Sequence, residues 1–209
     1  MAMKIVNNVL FRYFEESDIQ DVFVPNGIVS VRRNAFYLCR NITSVIIPES
    51  VVLIGVKAFF DCKRLMKVSI HESVEYIGAW AFYGCEMLKN ISLPSNIIEI
   101  GDRTFYGCKE LEEIKISSSV KRIGDFAFGY CFRLNYIKIP EGVISIGKHS
   151  FGQCKELRRI IIPATVTKIG ENAFYKSHDK LIIYGEANSF AEQYARASGI
   201  EFQYKFSEK

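Results

Sequence analysis

A right-handed, curved solenoid of stacked 23-residue units, with parallel strands on its concave face, is the fold class this sequence predicts. Three observations lead there. The cysteines Cys39, Cys62, Cys85, Cys108, Cys131 and Cys154 are each 23 residues from the next. Phenylalanine keeps the same interval through Phe36, Phe59, Phe82, Phe105, Phe128, Phe151 and Phe174. An Ile-Gly pair keeps it too, with glycines at Gly55, Gly78, Gly101, Gly124, Gly147 and Gly170. A fixed period of this length marks a repeat architecture, whose units bury against their neighbours the apolar residues they cannot bury alone.

Each element of the unit follows from its residues. In Leu65-Met66-Lys67-Val68-Ser69-Ile70 the alternation of Val68 and Ile70 predicts a strand with one buried face. Pro48, Pro94, Pro140 and Pro163 end such strands, because proline has no N–H to give a ladder. Val74-Glu75-Tyr76-Ile77-Gly78 predicts a second short extended piece, its glycine permitting a turn. Ala81-Phe82-Tyr83-Gly84-Cys85 is too short for a helix and reads as a helical or 3₁₀ turn on the outer side.

The ends need covers, since an open solenoid exposes core and strand edges. Val9-Leu10-Phe11-Arg12-Tyr13 reads as an N-terminal β cap, and Asp21-Val22-Phe23-Val24-Pro25 as the first repeat strand. Leu181-Ile182-Ile183-Tyr184 reads as the last repeat strand, slipped by one residue relative to Leu157. Ser189-Phe190-Ala191-Glu192 has the form of a capping box opening a helix, with Phe190 and Tyr194 on one face and Gly199 as its stop. A closing strand is expected from Ile200 to Phe206. The expected organisation is a cap over residues 1–18, about seven repeats over 19–185, and a helix-strand cap over 186–209.

The unit V-x-x-I-G-x-x-A-F-x-x-C-x-x-L-x-x-I-x-I-P resembles the BspA-type leucine-rich repeat over about Ile19 to Tyr184. Arg32 replaces the first glycine, Ser177 the seventh cysteine, and His71 and Ser117 stand where proline is usual. The resemblance implies a leucine-rich-repeat solenoid used for binding, often on microbial surfaces, with no catalytic residues or cofactors to carry over. It points to an adhesin-like protein–protein interaction module, whose partner is an acidic protein or a host or matrix protein. The alternative is an intracellular interaction scaffold. Met1 to Asn8 lacks the apolar core of a secretory signal, and six thiols suit a reducing compartment. Cell-surface and cytoplasmic placements both stay open.

Composition and spacing narrow the chemistry. No run approaches the roughly 18 apolar residues of a membrane helix, so no membrane insertion is expected. A net charge of +4, with no aromatic stacking platform apart from Tyr136, argues against nucleic acid. Cysteines 23 residues apart do not form zinc pairs, and on the outer flank they read as buried, reduced thiols rather than disulfides. His71, His149 and His178 occupy different places in different repeats, so no catalytic grouping converges and no enzyme is expected. Outward strand positions run from Asp21 and Phe23 to Arg159 and Ile161, and Lys115, Tyr136, Lys138, Arg158 and Arg159 cluster as the candidate partner-binding residues. Phe60, Trp80, Tyr83, Tyr106, Tyr130 and Tyr175 flank the buried phenylalanines, where packing between repeats outweighs an aromatic binding stripe.

Overall fold

The computed structural model describes residues 3–16 and 19–204. β1 (Met3–Val6) and β2 (Val9–Tyr13) form an antiparallel hairpin. Asn7 and Asn8 make its turn with φ of 47° and 60°, the mirror-image geometry in which asparagine is at home. From there each repeat contributes two strands. The first series is β3 (Asp21–Phe23), β5 (Ser44–Ile47), β7 (Lys67–Ile70), β9 (Asn90–Ser92), β11 (Glu113–Lys115), β13 (Tyr136–Lys138), β15 (Arg159–Ile161) and β17 (Ile182–Gly185). The second is β4 (Ser30–Val31), β6 (Leu53–Ile54), β8 (Tyr76–Ile77), β10 (Glu99–Ile100), β12 (Arg122–Ile123), β14 (Ser145–Ile146) and β16 (Lys168–Ile169). Helix α1 (Phe190–Ser198) and β18 (Glu201–Tyr204) close the stack.

Strand pairing is parallel and one repeat apart, with Ser44 opposite Lys67 and Tyr136 opposite Arg159. The last repeat strand holds the same register, Ile160 facing Ile183, so the expected one-residue slip is confined to the buried Leu181 ahead of it. The first series is hydrogen-bonded in three blocks, β3-β5-β7, β9-β11 and β13-β15-β17-β18. Each break follows a repeat whose strand ends without proline, at His71 and at Ser117. There the side chain takes over the turn: His71 Nδ1 accepts from Ser73 N at 3.1 Å and Ser117 Oγ from Ser119 N at 3.3 Å.

The outer segment is not the helical turn that its shortness suggests. Its amides alternate between two partners. Ala81, Tyr83 and Cys85 each donate three residues back, whereas Trp80, Phe82 and Gly84 each donate to the next repeat, at Asp102, Thr104 and Tyr106. The result is a run of overlapping β-turns zipped to its neighbour. The third position of two turns per repeat has positive φ, as at Trp80 (63°) and Gly84 (70°), which is the type II geometry. Bulky residues avoid that region. Here the inter-repeat amide bonds hold them there.

Inside, the phenylalanine column runs unbroken. Rings from Phe36 to Phe174 lie 4.8–5.5 Å apart and within 13° of parallel. Tyr13, 23 residues before Phe36, begins the column at 5.2 Å, and Tyr194 of α1 ends it edge-on to Phe174 at 5.9 Å. Tyr194 Oη accepts from Ala173 N at 3.1 Å, which docks the helix. Ala191 and Ala195 are the buried helix face, and Phe190, expected beside Tyr194, is turned out. The cap itself is as read: Ser189 Oγ accepts from Glu192 N at 3.3 Å, and Gly199 ends the helix at φ 67°. The Glu192 carboxylate accepts from Asn188 N at 2.7 Å, one residue upstream of the usual reciprocal bond. Of the closing strand, residues 205 and 206 lie outside the described residues.

The Ile-Gly glycines answer a different need from the one their sequence suggests. Among the repeats, Gly78 has ordinary φ, but a Cβ there would lie 2.4 Å from Val56 N and 2.7 Å from the Gly55 carbonyl carbon. The second strands end where adjacent repeats touch backbone to backbone. Arg32 is tolerated at the first equivalent position because only the hairpin precedes it. Its N–H bonds to Leu10 O, and its guanidinium lies 4.3 Å over the Phe11 ring.

Candidate functional site

The buried thiols form a structural ladder. Five of the six, from Cys62 onward, donate Sγ–H to the carbonyl of the phenylalanine 26 residues earlier, from Cys62 to Phe36 O at 3.0 Å through Cys154 to Phe128 O at 3.1 Å. Ser177 keeps the role at the seventh place, its Oγ 2.6 Å from Phe151 O. The cysteine is thus more than an apolar filler, because it gives the phenylalanine carbonyl a second donor. Burial pushes the thiols up from the ordinary 9.0, to about 12 at Cys39 and Cys154. They should stay protonated and resist iodoacetamide at pH 8 in the folded protein, and react after denaturation. Labelling of native protein at the denatured rate would show the ladder to be open. Raised thiol pKa values also mean stability fully present below pH 9 and lost as pH climbs towards 12, where the unfolded chain ionises first.

The outer aromatics pack on one another. Tyr37, Phe60, Tyr83, Tyr106 and Tyr130 form one column at 4.6–5.1 Å. Beside it, Arg103 lies between the Trp80 ring at 4.7 Å and the Phe126 ring at 4.5 Å, and Phe126 stacks on His149 at 4.8 Å. From Tyr37 to Tyr106 the rings lie within 16° of parallel and cover one another's faces, whereas the exposed Tyr130 is tilted by 49° and the exposed Tyr175 stands edge-on to His149. A stacking ligand needs faces. Packing between repeats therefore explains this flank from Tyr37 to Tyr106.

Among the described residues the histidines stay apart, and no group of three or more His, Cys, Asp or Glu is arranged to hold a metal ion. No described helix is long and apolar enough to cross a membrane.

The first series of strands builds a groove of about 1090 Å³. Its floor is Asn90, Ser92, Glu113, Lys115, Tyr136 and Lys138, and its rim includes Glu72, Ser95, Ser117 and Pro140. The groove sits over the break between β11 and β13. Sequence reasoning placed Lys115, Tyr136 and Lys138 on this face, and they line the groove together. Arg158 and Arg159 are exposed next to it, with Arg159 beside Tyr136, but do not line it. All four cations lack an ion-pair partner among the described residues, whereas nearby Arg133 is engaged by Glu112 at 3.8 Å and Glu156 at 4.0 Å. Tyr136 presents 41% of its surface. The rim has its own order: Glu72 accepts from Ser95 N at 2.7 Å, and that bond holds its carboxyl below the usual range. Sequence reasoning missed the hydroxyl rim of Ser95, Ser117 and Ser118, whose signal was the absence of proline at Ser117.

Comparison with known proteins agrees with this architecture. The BspA type leucine rich repeat region matches residues 7–134 and 121–195, in six copies. A leucine-rich repeat protein from Bacteroides ovatus is 27% identical with a TM-score of 0.71 over 92% of this chain. The chain spans 56% of that protein's length. The leucine-rich repeat protein of T. pallidum is 22% identical with a TM-score of 0.52, covering 93% of this chain and 89% of its own. No curated protein matches the sequence. With the repeat matched from the hairpin turn to the closing helix, the chain belongs to the BspA-type leucine-rich repeat family.

Proposed function

We propose that this chain is a non-enzymatic binding module for another protein, adhesin-like in role, whose partner lies along the strand face. The observation that carries this reading is the groove over β9, β11 and β13, lined by both Lys115 and Lys138 and with Arg158 and Arg159 exposed beside it. Like charges on adjacent strands repel unless something neutralises them. Here no carboxylate of the described residues pairs with them, so an acidic partner would gain what the free protein lacks. Such a face also speeds encounter with an acidic protein at low salt.

Arg158→Glu combined with Arg159→Glu is expected to weaken binding of an acidic partner about tenfold or more at low ionic strength. Titration of acidic peptides against both proteins measures it, and unchanged affinity would move the site off the strand face. Mild protease treatment of intact source cells, with lysed cells as control, tests the adhesin-like setting. Loss of the protein from intact cells supports it. Protection until lysis makes the chain an intracellular scaffold instead.

A further inference from the structure

The strand face is not uniform along the solenoid. One row of equivalent positions, 23 residues apart, reads Phe23, Ile46, Ser69, Ser92, Lys115 and Lys138, and continues into the half-buried Ile161 and Tyr184. Phe23 and Ile46 are directly opposed on paired strands β3 and β5 and present 66% and 42% of their surface. Solvent-facing residues of that size on adjacent strands form a patch rather than scattered exposure. In the middle, Ser69, Asn90 and Ser92 offer hydroxyls and an amide, with Lys67 as the one cation on their strands. Beyond them Lys115 and Lys138 line the groove with no ion-pair partner among the described residues, and the exposed Arg159 lies alongside.

We infer that the partner of this face is a polypeptide with two chemically distinct ends: aliphatic or aromatic side chains that cover Phe23 and Ile46, and carboxylates that meet Lys115, Lys138 and Arg159. The inference rests on the strand face being the binding surface, and adds its polarity. Six strands at about 4.8 Å spacing span roughly 24 Å, which an extended chain covers in about seven residues. A polypeptide can place both kinds of side chain within that length. A uniform polyanion cannot match the face as well: it would leave Phe23 and Ile46 uncovered and would meet Asp21 beside them and Glu113 on the same strand as Lys115. Nucleic acid would further want exposed ring faces, and in the groove Tyr136 is the one aromatic.

The test is selection of random 12-residue displayed peptides on the full chain, followed by affinity measurement with the enriched peptides in synthetic form. Enriched sequences are expected to carry acidic residues at one end and apolar residues at the other. Their affinity should fall about tenfold or more both with Phe23→Ser plus Ile46→Ser and with Lys115→Glu plus Lys138→Glu. Only the loss from the charge-reversed pair should shrink as salt is raised. All four side chains are exposed, and an unchanged melting temperature in each variant separates a lost contact from a lost fold. Acid-rich peptides indifferent to Phe23→Ser plus Ile46→Ser would overturn the two-ended partner and leave the strand-face site standing. Peptides indifferent to both variants would remove the strand face itself. Failure to enrich any sequence, or tighter binding of heparin or a 20-nucleotide DNA strand than of any peptide, would overturn a polypeptide partner.

Discussion

Phe105→Ala is expected to lower the free energy of unfolding by about 3–5 kcal/mol, the largest single-residue loss in this chain. Phe105 is fully buried at the centre of the column, its ring 5.5 Å from Phe82 and 5.4 Å from Phe128. Truncation removes the ring's own burial and leaves a cavity between repeats that are tied together on both sides. Backbone bonds from Phe82 N to Thr104 O and from Phe105 N to Ala127 O resist collapse of that gap. Urea denaturation measures the loss. In a solenoid each repeat contacts only its neighbours, so a central defect also weakens coupling between the two halves. The transition should broaden or divide into two, while the exposed Tyr175→Ala changes stability by less than about 1 kcal/mol. A loss at Phe105 below about 1 kcal/mol would contradict a continuous buried stack.

The second large effect is expected at a residue with no side chain. Gly78→Ala should cost about 1–3 kcal/mol, because its Cβ would meet backbone atoms of the preceding repeat rather than a side chain able to rotate away. Gly101→Ala provides the contrast. There the nearest atoms belong to Ala79, at 3.2 Å, and a shift of a few tenths of an ångström relieves the contact. The Gly101 variant should therefore lose well under the Gly78 loss in the same denaturation experiment. Equal losses would mean that helix-like or turn propensity, and not the approach of adjacent repeats, keeps glycine at these sites.

Most of the architecture was legible because a repeat states the same physical requirement many times. Cys, Phe and Ile-Gly recur at one interval, and any structure that buries one of them must bury all of them in register. The caps were legible for local reasons, since Ser189 with Glu192 and Gly199 satisfy helix ends within a few residues. Tyr13 was within reach as well. It stands 23 residues before Phe36 and completes the column, but its neighbours read as a separate cap and hid the frame. The same holds for Asn7-Asn8, whose turn geometry announces the hairpin.

Errors arose wherever identity depended on what the next repeat does. The turn run from Ala81 to Cys85 resembles a helix in its three-residue-back bonds, and only the bonds to Thr104 and Tyr106 show that it is a ladder. The glycines looked like turn residues until the closeness of Val56 N was seen. The cysteines looked like filler until their donors found carbonyls 26 residues earlier.

For the candidate site, the sequence determined which residues face outward, because strand alternation is local: Lys115, Tyr136, Lys138, Arg158 and Arg159 are all exposed. It could not show that three of them share a groove and two flank it, since that depends on where the hydrogen-bonded strands part, between β11 and β13. By itself the sequence determined the repeat, its buried columns and its ends, through periodicity and caps that act within a unit. Only the tertiary structure decided the contacts between units, because donors, ring faces and close backbone approaches are completed by residues 20 or more positions away.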